Sequence, residues 1–373
     1  MKPGNPFVIT GYYSPEYFCD REKEYERIIS AINNGRNITL FSIRRLGKTG
    51  LIEHVFNKLK TNKNLLLFYI DILPTNNFND FINLFATIVF KKLESKSEKF
   101  IKRIGEIFMN IRPVISFDPN TGIPNLQLNI QSPEDANKSL ENIFEYLDQS
   151  GKKIVIAFDE FQQITNYPEK NIEALLRTNI QKARNINFVF SGSLKHILIS
   201  IFSRYGKPFY QSSEMLQLDR IDQEKYLNFI IKNFSRGGKN INKNTALQIL
   251  ELCRFHTYYV QFLCNRLYGL KDTNITEELV NEVLNSILKE NEAVYINYKN
   301  LLTAYQWKVL KSVAYEGNAK LLTSKTFISK YDLGISSSVH TAVKSLLNKE
   351  MIYKENDYYY VYDVFLERWL ERF

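Results

Sequence analysis

The sequence predicts an α/β chain in which a parallel sheet carries helices on both faces, followed by a helical segment and a small C-terminal unit. Three observations predict it. The β-branched, apolar run Ile38–Phe41 breaks into a short polar turn, then Gly47-Lys48-Thr49, then a helical pattern. A second run, Lys152–Phe158, is continuously apolar from Ile154 onward, as a parallel strand buried on both faces must be, and it ends in Asp159-Glu160. A third, Asn187–Phe190, runs into Ser191-Gly192-Ser193.

The elements follow in order. After an extended N-terminal segment, Phe18-Cys-Asp-Arg-Glu-Lys-Glu24 opens an amphipathic helix to about Asn33. Core strands are predicted at 37–42, 65–71, 153–159, 187–191 and 215–218, with helices between them, the alternation of a parallel sheet. Helix Pro133–Gln149 has Ser132 as N-cap, Pro133 in its first turn, Glu134 and Asp135 at the positive end of its dipole and Gly151 as terminator. Ahead of it, Pro113–Ile130 reads as an inserted β-hairpin turning at Asp118–Gly122. The pattern from Asp219 to about Asn300 is helical, with breaks at Arg236–Asn242 and Asp272–Asn274. Helices then follow at Thr303–Glu316, Ser324–Lys330 and Ser337–Lys349, the last with Val339, Val343, Leu346 and Leu347 on one face. A hairpin of Met351–Lys354 and Tyr358–Tyr362 completes a winged helix-turn-helix outline. The domains expected are therefore 1–218 (with the insertion at about 113–130), 219–300 and 301–373.

Composition sets broad limits. The chain has 373 residues, 44% hydrophobic and 24% charged, ordinary values for a globular protein and too long for one compact core. Its longest apolar runs, Leu65–Ile70 and Ile154–Phe158, are far too short to span a bilayer, and the N-terminus has no apolar signal core. Cys19, Cys253 and Cys264 show neither metal nor disulfide-framework spacing, so a reducing cytoplasm is the expectation. The net charge of +9 permits phosphate-rich partners without requiring them.

The chemistry lies in the strand termini. Strand, GKT loop and helix together form a phosphate-binding loop, in which backbone N–H groups and the helix N-terminus face the phosphates of ATP. The binding residues are Ser42, Arg45, Leu46, Gly47, Lys48, Thr49 and Gly50. Lys48 is expected to reach the β- and γ-phosphates, Thr49 with Asp159 to complete the shell of Mg²⁺, and Glu160 to polarise the attacking water. Ser42 stands where GxxxxGK[ST] begins with glycine, and serine takes positive φ at greater cost. Ser191 is placed to sense the γ-phosphate, but Ser-Gly-Ser is also an ordinary strand-to-helix turn, and both readings stand.

These motifs together resemble the prokaryotic archaeal-type ATPases, a family grouped with the STAND and AAA+-related P-loop NTPases. Phe18-Cys-Asp-Arg-Glu22 resembles its F-x-x-R-E opening, FSIRRLGKT its phosphate loop, IAFDEFQ its Walker B strand and FVFSGS a strand ending in Gly-Ser. FHTYYVQFL resembles a segment of its helical lid, and YDVFLERWL its C-terminal end. The resemblance implies sheet order 5-1-4-3-2, Arg21 near the adenine, and a Mg²⁺-dependent ATPase whose conformational switch is coupled to the winged helix. Three departures are Ser42, Thr257 in place of a lid proline, and Gln211 where an arginine is expected. Arg177, Arg184 and Arg204 are candidates for an arginine finger, but a solvated surface arginine is the favoured reading of each.

The alternative is a nucleotide-gated module that binds double-stranded DNA or a protein partner with little turnover. The third helix of the wing would expose His340, Thr341, Lys344 and Asn348, but Leu301–Phe373 holds ten Lys and Arg against eight Asp and Glu. That balance leaves DNA and protein contact both open. His256 and the tyrosines at 258, 259 and 358–360 read as packing residues. Oligomeric state is not legible in the sequence.

Overall fold

Side-chain alternation along the strands decides which layer each residue meets. In the computed structural model, which describes residues 3–93, 102, 104–108, 113–117 and 124–372, five parallel strands form one sheet. They are β1 (Ile38–Phe41), β2 (Leu65–Asp71), β5 (Lys153–Asp159), β6 (Ile186–Gly192) and β7 (Glu214–Gln217). The order β2-β5-β6-β1-β7 is the 5-1-4-3-2 order implied by the resemblance, read from the opposite edge. Strands β3 (Val114–Phe117) and β4 (Pro124–Gln127) pair antiparallel as the inserted hairpin, while its turn at Asp118–Gly122 lies outside the described residues.

The two faces of the sheet differ in chemistry. Ile154, Ile156 and Phe158 of β5 join Phe68, Ile70, Phe188 and Phe190 in a phenylalanine-rich core. Phe158 and Phe188 lie 6.2 Å apart and nearly parallel. Helices Phe78–Leu93 and Pro133–Asp148 cover this face through Phe81, Phe85 and Phe144. On the other face, Val155, Ala157 and Val189 join the aliphatic residues of α1 (Glu22–Asn33) and α2 (Lys48–Leu59). Small side chains there let α2 sit close above the sheet, which brings its N-terminus to the ends of β5 and β6. Ser132 and Asp135 form a reciprocal capping box at Pro133, as the sequence pattern requires.

The described chain divides into two compact units. One is Gly11–Arg220, the sheet with its helices. The other joins the N-terminal segment through Thr10 to Ile221–Phe373. The sequence reading placed that segment with residues 1–218. Its anchor is Phe7, fully buried against Phe234 and Tyr268 with ring centroids at 4.8 and 6.0 Å, while Asn265 Nδ2 donates to the Phe7 carbonyl at 2.7 Å. An isolated phenylalanine in an extended segment has no periodic signal that would reveal this.

Within the second unit, helices between Gln223 and Asn300 precede the winged helix. Its helices are Ala304–Glu316, Lys325–Lys330 and Ser336–Asn348, and its wing pairs the strands Ile352–Glu355 and Tyr358–Val361. A two-residue strand, Ala319–Lys320, adds to Tyr358–Val361, too short for any period to announce. Glu367, almost fully buried, pairs with Arg254 at 2.9 Å, and Arg254 also donates to the Val361 carbonyl at 2.6 Å. Arg368 donates to the Leu252 carbonyl at 3.0 Å. These bonds tie the C-terminal helix to the helical segment. His256 is buried beside Tyr353, and the three cysteines are buried free thiols. Among the described residues no helix is long and apolar enough to cross a membrane.

Candidate functional site

Sheet register assembles the site within the first unit. Asp71 pairs with Asp159, Phe158 with Phe190 and Leu40 with Ser191, so the C-terminal ends of four strands meet under the start of α2. Lys48 and Thr49 open that helix. Gly47 lies at φ 96° and Arg45 at φ 68°, and these two residues carry the left-handed turns of the loop. Ser42 is not among the described residues with positive φ, so serine in place of glycine costs no strain of that kind. Its hydroxyl donates to the Ile43 carbonyl at 2.7 Å and accepts from Lys48 Nζ at 3.1 Å.

Lys48 is 6% exposed, and its ammonium reaches the Ser42 and Ile43 carbonyls at 3.4 and 3.3 Å. Burial pushes its pKa down to about 8, against the opposing charges of Glu160 and Asp159. A buried ammonium held by long bonds to carbonyls is short of negative charge, and a polyphosphate supplies it.

Asp159, 3% exposed, gathers the other elements. Thr49 Oγ1 donates to its Oδ2 at 2.7 Å, and the Tyr69 hydroxyl to the same oxygen at 2.6 Å. The Ser191 hydroxyl and the Glu160 amide, the latter at 3.0 Å, donate to Oδ1. The hard oxygen pair of Thr49 and Asp159 fits Mg²⁺, which takes few protein ligands and fills its shell with phosphate and water. Among the described residues no group of three or more His, Cys, Asp or Glu is arranged to hold a metal by itself.

Glu160 sits at φ 54°, with Ser193 Oγ donating to its Oε2 at 2.9 Å and the Gln162 amide donating to the same oxygen. Arg44 Nε donates to Ser193 Oγ at 3.3 Å. A Cβ at Gly192 would lie 1.9 Å from Gln162 Oε1, so only glycine admits this side chain. Arg21, 4% exposed at φ 78°, bonds the Leu46 carbonyl at 3.3 Å and Glu24 at 3.0 Å, which places it on the phosphate loop. Non-glycine residues in left-handed backbone cost of order 1–3 kcal/mol each, and Arg21, Arg45 and Glu160 all border this one site.

The structure thus brings together Arg21, Ser42, Leu46, Lys48, Thr49, Asp159, Glu160 and Ser191, with Arg45, Gly47 and Gly50 in the same loop and helix start. Arg184 and Arg204 are exposed, and Arg177 lies beside Gln181, so none is marked out as a finger. Sequence reasoning missed Tyr69. Its place on the same sheet face as Asp159 follows from strand pairing, and a buried apolar run does not disclose its neighbours.

Comparison with known proteins follows the same lines. A family model described as an ATPase domain predominantly from Archaea matches residues 18–253, and one described as a probable winged helix domain matches residues 293–372. The chain belongs to this archaeal-type ATPase domain family. Three relatives of this ATPase-domain protein are uncharacterized ATP-binding proteins of Methanocaldococcus jannaschii. One is 31% identical over 39% of this chain and 43% of its own length, and another is 22% identical over 57% and 62%. The third is 24% identical over 77% and 85%. The chain therefore spans less than two thirds of the first two. In fold it is similar to the Walker-type ATPase of Pyrococcus abyssi, with a TM-score of 0.66 at 16% identity, covering 98% of this chain and 99% of the other. The ORC2 protein of Aeropyrum pernix, in ADPNP and ADP complexes, gives 0.60 at 15% identity over 100% and 96%.

Lys48 yields a test of the site that needs no turnover. Its folded pKa lies below that of the unfolded chain, so the unfolded state binds more protons between about pH 8 and 10.5, and stability rises with pH across that window. Lys48→Met is expected to stabilise the nucleotide-free protein at pH 7 by on the order of 2 kcal/mol and to abolish nucleotide binding. The gain should shrink as pH rises above about 8. Thermal unfolding across pH, beside nucleotide titration, checks both, and a lower midpoint at pH 7 would contradict it.

Proposed function

We propose that the chain is a Mg²⁺-dependent ATPase that works as a nucleotide-driven switch. The observation that carries the reading is the buried, charge-deficient Lys48 placed beside the Thr49–Asp159 oxygen pair and Glu160. The phosphate loop from Ser42 to Gly50 cradles the phosphates with its N–H groups, and Lys48 offsets the charge that spreads over the γ-phosphoryl oxygens. Thr49 and Asp159 would hold Mg²⁺, which when bound would supply positive charge against the phosphoryl oxygens. Glu160, aimed by Ser193 and Gln162, orients the water and accepts its proton. Ser191 and Ser193, on the strand tip between the phosphate loop and Asp159, link phosphate occupancy to the carboxylates. Arg21 supports the loop near the base. The names of the relatives, as ATP-binding proteins, support ATP as the ligand.

The chain crosses between its two units at Thr10–Gly11 and Arg220–Ile221, which supports a switch that transmits nucleotide state from one unit to the other. We place the protein with the STAND and AAA+-related switches on this basis, with residues 219–300 as lid and 301–373 as output. The output reading is duplex DNA, favoured by helix Ser336–Asn348, whose exposed face carries His340, Thr341, Lys344 and Asn348. A protein partner is the competing output, since Lys308, Lys330, Lys354 and Arg368 of this domain are engaged in ion pairs.

Glu160→Gln is expected to keep ATP binding and slow hydrolysis by about 10²–10⁴-fold, the usual contribution of a general base. Phosphate release measured at saturating ATP checks it, and an unchanged rate would make Glu160 structural. For the winged helix, salt-dependent binding of duplex DNA is expected, weakened several-fold by Lys344→Glu with ATP turnover intact. Anisotropy titrations at low and moderate salt decide it, and no binding at low salt with or without ATP would assign the domain to protein contact.

A further inference from the structure

Asp159 accepts four hydrogen bonds, two on each oxygen. An ionised carboxylate offers about four acceptor positions, so this one is full. Any ion, or water bound to an ion, that reaches Asp159 must displace a donor. The Glu160 amide is fixed by the backbone, and Ser191 is fully buried on β6, both on Oδ1. The Thr49 hydroxyl can ligate a cation through its oxygen while its proton stays on Asp159. Tyr69 is the donor that remains on Oδ2, on the edge strand of the sheet and only half-buried.

A second acceptor stands ready for it. Tyr69 and Glu53 line one open groove of about 360 Å³, together with Tyr12, Phe56 and Lys92. Glu53 lies one helical turn after Thr49, and its Oε2 is buried with no hydrogen-bond partner among the described residues. A buried carboxylate oxygen without a donor is costly, and a phenol hydroxyl turned to it from the same groove would satisfy it.

We propose that Tyr69 gates the metal position: its hydroxyl occupies the second acceptor position of Asp159 Oδ2 when no cation is bound, and passes to Glu53 when one binds. The inference rests on the Mg²⁺-nucleotide reading of the site. Tyr69 is then a positioning residue that competes with the metal, and Glu53 is the acceptor that lowers the cost of its release.

The test is uptake of Mn²⁺ in the presence of saturating ADP, read from the electron paramagnetic resonance signal of free Mn²⁺. Wild type, Tyr69→Phe, Glu53→Ala and the double variant are compared, each first shown to unfold cooperatively. Tyr69→Phe should take up Mn²⁺ roughly tenfold more tightly, the size of one charge-assisted hydrogen bond that no longer has to be broken. Glu53→Ala should weaken uptake, and by less in the Tyr69→Phe background, because the hydroxyl it receives is gone. Equal or weaker uptake by Tyr69→Phe, with ADP still bound, would overturn the gating role and leave the nucleotide reading standing. No Mn²⁺ uptake by the wild type with ADP would remove that reading and the inference together.

Discussion

One carboxylate organises the C-terminal ends of the strands of this sheet. Asp159 lies at the tip of a strand buried on both faces, where a charge is tolerated only if donors satisfy it. Its donors come from the start of α2, from β2, from β6 and from the amide of the next residue, Glu160. Each bond fixes the distance between Asp159 and another element, so the phosphate loop, the edge strand and the serine-tipped strand are positioned by the same group. The aliphatic layer of Val155, Ala157 and Val189 makes this geometry available, because bulkier residues beneath α2 would lift Thr49 away from the carboxylate.

Around that centre the site holds charge and strain in reserve. Lys48 is buried with carbonyl partners at 3.3 Å and beyond, and burial disfavours its charge. Arg21, Arg45 and Glu160 occupy left-handed backbone. Each feature costs stability in the nucleotide-free protein, and a polyphosphate on the loop offsets the first of them directly. Marginal elements bordering a ligand site are what the proposed switch would need, since a ligand shifts an equilibrium only by its differential affinity for the two states.

Much of this was legible in the sequence. The strand bounds, the order of the sheet, the capping box at Ser132 and the grouping of Lys48, Thr49, Asp159, Glu160 and Ser191 follow from apolar runs and their terminal residues, with the order implied by resemblance. What escaped had no local signal. Tyr69 reads as one more aromatic in a strand, and only its register beside Ala157, two residues before Asp159 and on the same face, makes it a site residue. Gly192 looks like a turn glycine, whereas the close approach of Gln162 is what requires it. Phe7 anchors the N-terminal segment on distant helices, a long-range contact that no periodicity encodes. The anticipated cost of Ser42 was absent, because the loop takes its left-handed turns at Arg45 and Gly47 instead.

The central claim is that Asp159 couples the metal position to the phosphate loop. Titration calorimetry of ADP with wild type and Asp159→Asn, each with and without Mg²⁺, tests it most directly. The amide keeps the shape but removes the charge and turns one acceptor oxygen into a donor. Mg²⁺ is expected to strengthen ADP binding to the wild type and to have no such effect on the variant, with metal-free affinity retained in both. An equal gain from Mg²⁺ in the two proteins would contradict it.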